Sequence, residues 1–363
     1  MKRVAIDVRM LHHSGIGRYI QDVVPGVMER AKDVEFYFLG SKTVLQDLPW
    51  CQTAHAKILA VDSPIYSLAE QLVLKKILPR DVDLFWSPHY NIPVFYRGTL
   101  LVTVHDVFHL AMQDVLPLHQ KIYSRLMFSA LKRKADAIIS VSRFSKGELI
   151  RFADVTASTI NVVHNGLNSF WFSQDSGSSP RAHPYLLYVG NVKPHKNIKR
   201  LLQAYKYIAS ECNHDLVIIG KKSGFITGES GLEQEYSGLE ERVHFTGFIS
   251  DAQLRNYYKH ADLFVFPSTY EGFGFPPLEA MASGTAVLAA RIGAVEEVCG
   301  DAVTYCDPYD VNDIATKMRY LLEENDQRYR MATAGQMRAE KYTQAKSVEE
   351  TYAVLEKVLS TSG

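Results

Sequence analysis

The chain lacks a surplus of either charge: lysine plus arginine number 40, as do aspartate plus glutamate. No global basic field is available to attract nucleic acid, so no nucleic-acid partner is expected and any anion site has to be built locally. Cysteine is scarce. The four, at positions 51, 212, 299 and 306, show neither CxxC nor zinc-site spacing and give no sign of a disulfide framework. No apolar run approaches the roughly 18 residues of a membrane-spanning helix. The opening MKRVAIDVRM is charged too early to read as a signal peptide. A soluble cytoplasmic protein with reduced thiols is the expectation. Clusters of metal-ligating residues are missing too. Asp81-Val82-Asp83 directly precedes an apolar run and reads as the loop leading into a strand, so no divalent metal and no cofactor is expected.

What is present is the composition of a globular protein, 363 residues with 47% apolar and 22% charged, enough for two domains with a core each. Apolar runs at Val4–Val8, Glu35–Leu39, Lys57–Val61, Leu84–Ser87, Leu100–His105, Asp136–Val141 and Ile160–His164 alternate with helical patterns such as SLAEQLVLKKIL. That alternation predicts an α/β fold, a parallel sheet with helices on both faces. Residues 171–183 are dense in Ser, Gly and Pro and read as an interdomain linker. The alternation restarts at YLLYVG and continues through RVHFTGF, DLFVFPS, TAVLAAR and VTYCDP.

The most informative stretch is Phe264–Ala282, FVFPSTYEGFGFPPLEAMA, which reads as strand, loop and helix. Glycines at 272 and 274 let a backbone approach a ligand closely. Prolines at 276 and 277 suit a helix start, whose dipole favours phosphate. Glu271 in the loop and Glu279 in the first helical turn lie eight residues apart, so they do not share one helical face. Taken singly, each glutamate reads as a solvated side chain. Together, E-x7-E spanning GFGFPPL resembles the signature of the family-4 retaining glycosyltransferases, which have the GT-B architecture of two Rossmann-like domains facing across a cleft. The resemblance implies that Glu271, Gly272, Phe273, Gly274 and Phe275 hold the donor sugar and that Glu279 binds the ribose hydroxyls.

Further motifs follow in the order that the family implies. Gly15-Ile16-Gly17, after the first strand, is not a full GxGxxG and alone reads as a tight turn into a helix; the resemblance places it against the donor diphosphate, with Arg18 as an anion contact. His105-Asp106 ends a strand at the sheet edge where ligands bind, and the resemblance puts a functional His there, with Asp106 orienting it. Ser142 and Arg143 face the cleft in the same scheme. Gly190 closes a strand, and Lys196 with Asn197 opens a helix suited to a diphosphate. Asn191 stands where the family usually has Arg. Either Lys193 or Arg18 supplies the second positive charge, or the phosphate is held less tightly. Gly247 and Phe248 match the place where the base is received. By resemblance the last helix crosses back, giving an N-terminal domain of 1–170 plus 343–363 and a donor domain of 184–342, although Gln344 stands where Trp is frequent.

Residues His119–Lys134 form a basic helical pattern without an acidic residue, carrying Lys132 and Arg133 among others. A solvated surface is the plain reading, and contact with an anionic membrane is the alternative if the acceptor is lipid-linked. The whole set implies a retaining, metal-independent transferase moving a sugar from a nucleoside-diphosphate donor, UDP-glucose type before GDP-mannose type, to a glycan or lipid-linked acceptor. His105, Glu271 and Lys196 are its catalytic candidates. The rivals are a nucleotide-sugar epimerase, a non-catalytic nucleotide-sugar-binding protein, and a glycoside hydrolase, which needs a free carboxylate pair.

Overall fold

A computed structural model describes residues 1–79, 81–173, 177–220 and 232–361. The chain divides into two units, Met1–Gly166 with Gln344–Gly363, and Leu167–Thr343.

In unit 1, seven strands form a parallel sheet: β1 (Lys2–Asp7), β2 (Val34–Gly40), β3 (Ala56–Ala60), β4 (Leu84–Ser87), β5 (Leu100–Val104), β6 (Ala137–Ser140) and β7 (Ile160–Val162). Their order is β3-β2-β1-β4-β5-β6-β7. Both faces are covered, so the strands are apolar almost throughout. Within β1 the pleat sends Val4 and Ile6 into one core and Ala5 into the other. Helices α1 (Ser14–Arg30), α2 (Leu68–Ile77), α3 (Leu118–Lys134) and α4 (Arg143–Ala153) supply the cover, together with the final helix Gln344–Thr361. That final helix buries Val348, Leu355, Val358 and Leu359 in the core that also holds Val23, Val24 and Val27 of α1. Each such side chain contributes about 1.5–3 kcal/mol of burial, so this row fixes the helix to unit 1. Gln344, in the place where Trp was expected, donates instead to the Asp22 carbonyl of α1 at 2.6 Å.

Asp83 holds the start of β4 to β1 by accepting from the Arg3 amide at 2.7 Å, and Asp81 pairs with the Arg3 side chain. Asp81-Val82-Asp83 is therefore occupied in tying two strands together. Among the described residues no three His, Cys, Asp or Glu side chains cluster as a metal site.

Unit 2 repeats the scheme with six parallel strands, β8 (Tyr185–Val189), β9 (Asp215–Ile219), β10 (Val243–Gly247), β11 (Leu263–Phe266), β12 (Val287–Ala290) and β13 (Thr304–Cys306), in the order β10-β9-β8-β11-β12-β13. Its helices include α5 (Ile198–Ile208), α6 (Asp251–His260) and α7 (Phe275–Ala282). Ser250 starts α6 with a reciprocal capping box to Gln253.

The boundary differs from the expected one. Residues 167–170 belong to unit 2, and the linker assigned to 171–183 is packed at its start. Trp171 is fully buried with its ring 6.1 Å from that of Tyr258, and Arg255 stacks over Phe170 at 4.2 Å. Two large aromatic side chains gain more from burial than a linker would gain from solvent, so the SFWF turn joins the core. Residues 174–176 of that linker lie outside the described residues.

Candidate functional site

Open parallel α/β sheets take ligands beyond the carboxyl ends of their strands, where the strand order reverses. In unit 2 the reversal lies between β8 and β11. The loop after β8 carries Lys196 in a short turn, Pro194–Lys196, and the loop after β11 carries Glu271. Lys196 Nζ reaches Glu271 Oε1 at 2.5 Å, bringing together two residues 75 positions apart. The His195 carbonyl accepts from both the amide and the hydroxyl of Thr269, at 2.8 and 3.2 Å. Asn197, left-handed at φ 60 and buried, does not cap α5 with its side chain. Its Nδ2 instead donates to the carbonyls of Pro267 and Pro308, at 3.0 and 2.6 Å. Four contacts therefore lock the two loops before any ligand arrives, which is what a preorganised charge site requires.

Neighbouring strand ends complete the same edge. Gly220 packs so closely on Gly190 that a Cβ there would lie 2.1 Å from the Gly190 carbonyl oxygen. The Gly220 amide donates to the Gly247 carbonyl at 3.2 Å. Gly190 and Asn191 thus follow β8, and Gly247 ends β10 with Phe248 next, the two strands that flank β9. Phe248 is 88% exposed, an apolar ring with nothing in the core to hold it.

Gly274, at φ 112, turns the chain into α7. Pro276 and Pro277 stand at the second and third positions of that helix and carry no N–H. The expected array of helix amides is therefore reduced at this end. Phe273 is buried, with its ring centre 5.4 Å from that of Phe275 and 6.0 Å from Tyr342. Glu279 occupies the second turn of α7, not the first as expected, and is buried. Tyr258 of α6 donates to Glu279 Oε2 at 3.0 Å. The two glutamates therefore do different work, Glu271 at the loop surface with a lysine and Glu279 inside with a phenol.

Unit 1 has its own strand edge. Gly15 and Gly17 lie inside the first turn of α1, which begins at Ser14, and not in a loop. A Cβ on Gly17 would fall 2.2 Å from the Leu11 carbonyl oxygen, so the preceding loop folds back against it. Gly15 has no atom within 4 Å of a Cβ. Arg18 pairs with Asp22 at 3.4 Å one turn on.

His105 follows β5 directly. Its Nε2 lies 2.9 Å from the Pro88 carbonyl oxygen. A carbonyl only accepts, so Nε2 bears the proton and a neutral ring keeps its lone pair on Nδ1. Burial pushes the imidazole pKa down from 6.5 to about 4 against the contrary pulls of Pro88 and Asp106. Tyr19 of α1 meets the ring edge-on at 5.0 Å. Asp106 acts on His105 through its charge, while its Oδ1 accepts from the Phe108 amide at 2.9 Å and caps the turn that follows. Arg143 is exposed at the first position of α4, which Ser142 caps by accepting from the Ser145 amide at 2.9 Å. On α3, Arg133 and Lys132 are exposed, and Lys132 pairs with Asp154.

Two features escaped the sequence reading. Tyr258 could have been suspected only from a tyrosine pair on an otherwise polar helix. The other is a buried network at the edge of unit 1. Arg9 binds both oxygens of Asp7 (Nε to Oδ1 2.8 Å, Nη2 to Oδ2 2.6 Å) and Glu70 Oε2 at 2.8 Å. Asn91 donates to Glu70 Oε1 at 2.9 Å. Burial alone would raise the Asp7 pKa, but the charge and hydrogen bonds of Arg9, helped by His89, hold it well below the ordinary carboxylate range. The charged residue inside the first apolar run was the one visible signal.

The family model described as "Glycosyltransferase Family 4" matches residues 13–169, and that described as "Glycosyl transferases group 1" matches residues 169–338. The chain is 26% identical over 358 residues to O-antigen chain mannosyltransferase B of Escherichia coli, covering 91% of this chain and 92% of that protein. Its fold is similar to that of sucrose-phosphate synthase from Thermosynechococcus elongatus, with a TM-score of 0.78, 19% identity, and 99% of this chain and 100% of that one covered. HepE of Anabaena, solved in complex with UDP and glucose, gives a TM-score of 0.76 at 18% identity over 98% of this chain and 100% of that one. These likenesses carry the fold class, two parallel Rossmann-like sheets of GT-B type.

Proposed function

The chain belongs to the family-4, group 1 glycosyltransferases, and from that membership we propose that it moves mannose from GDP-mannose to a hydroxyl of a glycan or lipid-linked acceptor in polysaccharide assembly. The Lys196–Glu271 pair at the strand-order reversal of unit 2 carries this reading. UDP-glucose was the sequence-based preference; the mannosyltransferase matched along nine-tenths of this chain shifts the preference to mannose.

In this reading the bond from the anomeric carbon to the diphosphate oxygen breaks, and Lys196 with the α5 dipole stabilises the charge left on phosphate. The acceptor oxygen bonds to the same face of that carbon, and its proton passes to the departing phosphate oxygen, so configuration is retained. Glu271 and the loop amides of residues 272–275 hold the sugar, Glu279 the ribose, and His105 the sugar and acceptor. Lys196 supplies the positive charge for which other transferases use a metal, so no divalent ion is required.

The test is thermal unfolding with GDP, UDP and ADP, each with and without EDTA, followed by turnover with GDP-mannose and UDP-glucose. Ligand at about a hundred times its dissociation constant adds roughly 2.7 kcal/mol, a shift of a few degrees. GDP stabilisation that survives EDTA, with an α-mannosyl product by NMR, is expected. Stabilisation by UDP alone overturns the donor, an inverted product overturns the mechanism, and loss with EDTA overturns metal independence.

A further inference from the structure

The buried network around Arg9 extends beyond the charges it pairs. Glu70 lies in the first turn of α2, where Ser67 caps the helix by accepting from the Glu70 amide at 3.1 Å. Its carboxylate is fully buried, with Arg9 on Oε2 and Asn91 on Oε1. The Tyr123 hydroxyl of α3 lies between Glu70 Oε1, 3.3 Å away, and Asn91 Oδ1, its closer acceptor. Asn91 is itself buried, so both ends of its amide are held inside the protein.

Asn91 stands in the loop that follows β4, and α2 grips this loop at a second place. Gln71, next to Glu70 and also buried, accepts from the Val94 amide at 2.8 Å and donates to the Ile92 carbonyl at 3.2 Å. At the loop's start, Ser87 Oγ donates to the carbonyls of His89 and Asn91, at 2.8 and 3.3 Å, which closes a tight turn. Pro88 sits inside that turn with a fixed φ and no N–H. Its carbonyl is the group that meets His105 Nε2 at 2.9 Å. A continuous set of hydrogen bonds thus runs from Arg9 through Glu70, Asn91 and Ser87 to the turn that faces the His105 ring.

A neutral imidazole carries its proton on either nitrogen, and the partner of one nitrogen decides which. Asp106 and His89 act on His105 by charge, and Tyr19 meets it ring to ring. Among the described residues the Pro88 carbonyl is therefore the group that selects the tautomer. We propose that Glu70 and Asn91 are positioning residues, which hold the Pro88 carbonyl against His105 and so fix the ring as its Nε2–H tautomer, with Nδ1 left to accept a hydrogen bond. Retaining a buried carboxylate and guanidinium then has a purpose that fold stability alone does not supply, since such pairs are readily replaced by apolar side chains. The effect on turnover rests on the role given to His105 above; the effect on the tautomer does not.

Nitrogen-15 NMR of the full chain labelled at histidine, with the His105 signals assigned by their loss in His105→Gln, reads the tautomer directly. Wild type is expected to show His105 as Nε2–H alone. Asn91→Ala, which frees the loop from Glu70, should give a mixture of both tautomers and lower kcat with GDP-mannose by about tenfold or more. Tyr123→Phe removes one hydroxyl from the network and keeps the ring, so it should fold like wild type and shift the tautomer in the same direction by less. A single unchanged tautomer in both variants overturns the proposal, whatever happens to stability, and so does a wild-type ring that carries its proton on Nδ1. Mixed tautomers with undiminished turnover support the positioning and instead overturn the part given to His105 in the reaction.

Discussion

Lys196 Nζ sits 2.5 Å from Glu271 Oε1, so the cation assigned to the leaving phosphate is already held by the carboxylate assigned to the sugar. Both side chains are largely shielded, 18% and 14% exposed, so salt screens the pair less than it would a surface one. Its effect is on binding, because a diphosphate has to compete with Glu271 for the lysine. Glu271→Gln should leave nucleoside-diphosphate affinity equal or tighter while lowering kcat about a hundredfold. Lys196→Met should weaken the diphosphate and lower kcat/KM by about 10²–10³. Calorimetric titration beside steady-state kinetics separates the two. Equal losses of affinity and turnover in Glu271→Gln would mean that the carboxylate only binds.

His105 bears on pH. Its folded pKa, about 4, lies below the ordinary 6.5, so protonation favours the unfolded chain. The stability linked to the neutral ring is complete above pH 6.5 and is lost as pH falls toward 4. A His105→Gln variant can still donate to the Pro88 carbonyl but does not titrate. Its melting temperature should fall less steeply than that of wild type between pH 6.5 and 4, and its turnover should drop. Parallel curves would mean that His105 is not held neutral by burial.

The glycines of α1 can be told apart. Gly17 is required by packing, since a Cβ meets the Leu11 carbonyl at 2.2 Å, and Gly17→Ala should destabilise unit 1. At Gly15 a Cβ meets nothing, and alanine in a helix is worth about 1 kcal/mol over glycine. Gly15→Ala should therefore raise the melting temperature. If Gly15 faces a diphosphate as the family resemblance implies, the same variant should lose donor affinity. A stabilised variant with unchanged affinity would remove Gly15 from the site.

The strands were legible because buried parallel strands are written as short apolar runs, and each run from Val4 to Cys306 falls on a strand. Glu271 through Glu279 were legible because they are contiguous. What stayed hidden depends on residues far apart in sequence. Nothing local to Glu271 announces Lys196, and nothing in α7 announces that Tyr258 closes over Glu279. Gly15 and Gly17 read as a loop because glycine marks turns by propensity, whereas the helix starts at Ser14 and tolerates them. The unit boundary was misread for a related reason. Polar composition between 171 and 183 masked Trp171, whose burial fixes the start of that stretch to unit 2.

The strongest stability prediction concerns Arg9, which binds Asp7 and Glu70 with all three carboxylate and guanidinium groups nearly fully buried. Removing one partner of such a network leaves charge stranded, at a cost of about 3–5 kcal/mol. For a unit of this size that is roughly 10 °C in melting temperature for Arg9→Met. The pH dependence gives the cause away. In wild type the Asp7 pKa is depressed, so its contribution is complete above the ordinary value near 3.8 and is constant between pH 5 and 7. Without Arg9, burial raises the Asp7 pKa, and protonation relieves the stranded charge as pH falls. The deficit of Arg9→Met should thus be largest at pH 7 and smaller at pH 5, and adding Glu70→Gln should recover part of it. A deficit of equal size at both pH values would show lost packing in place of an uncompensated carboxylate.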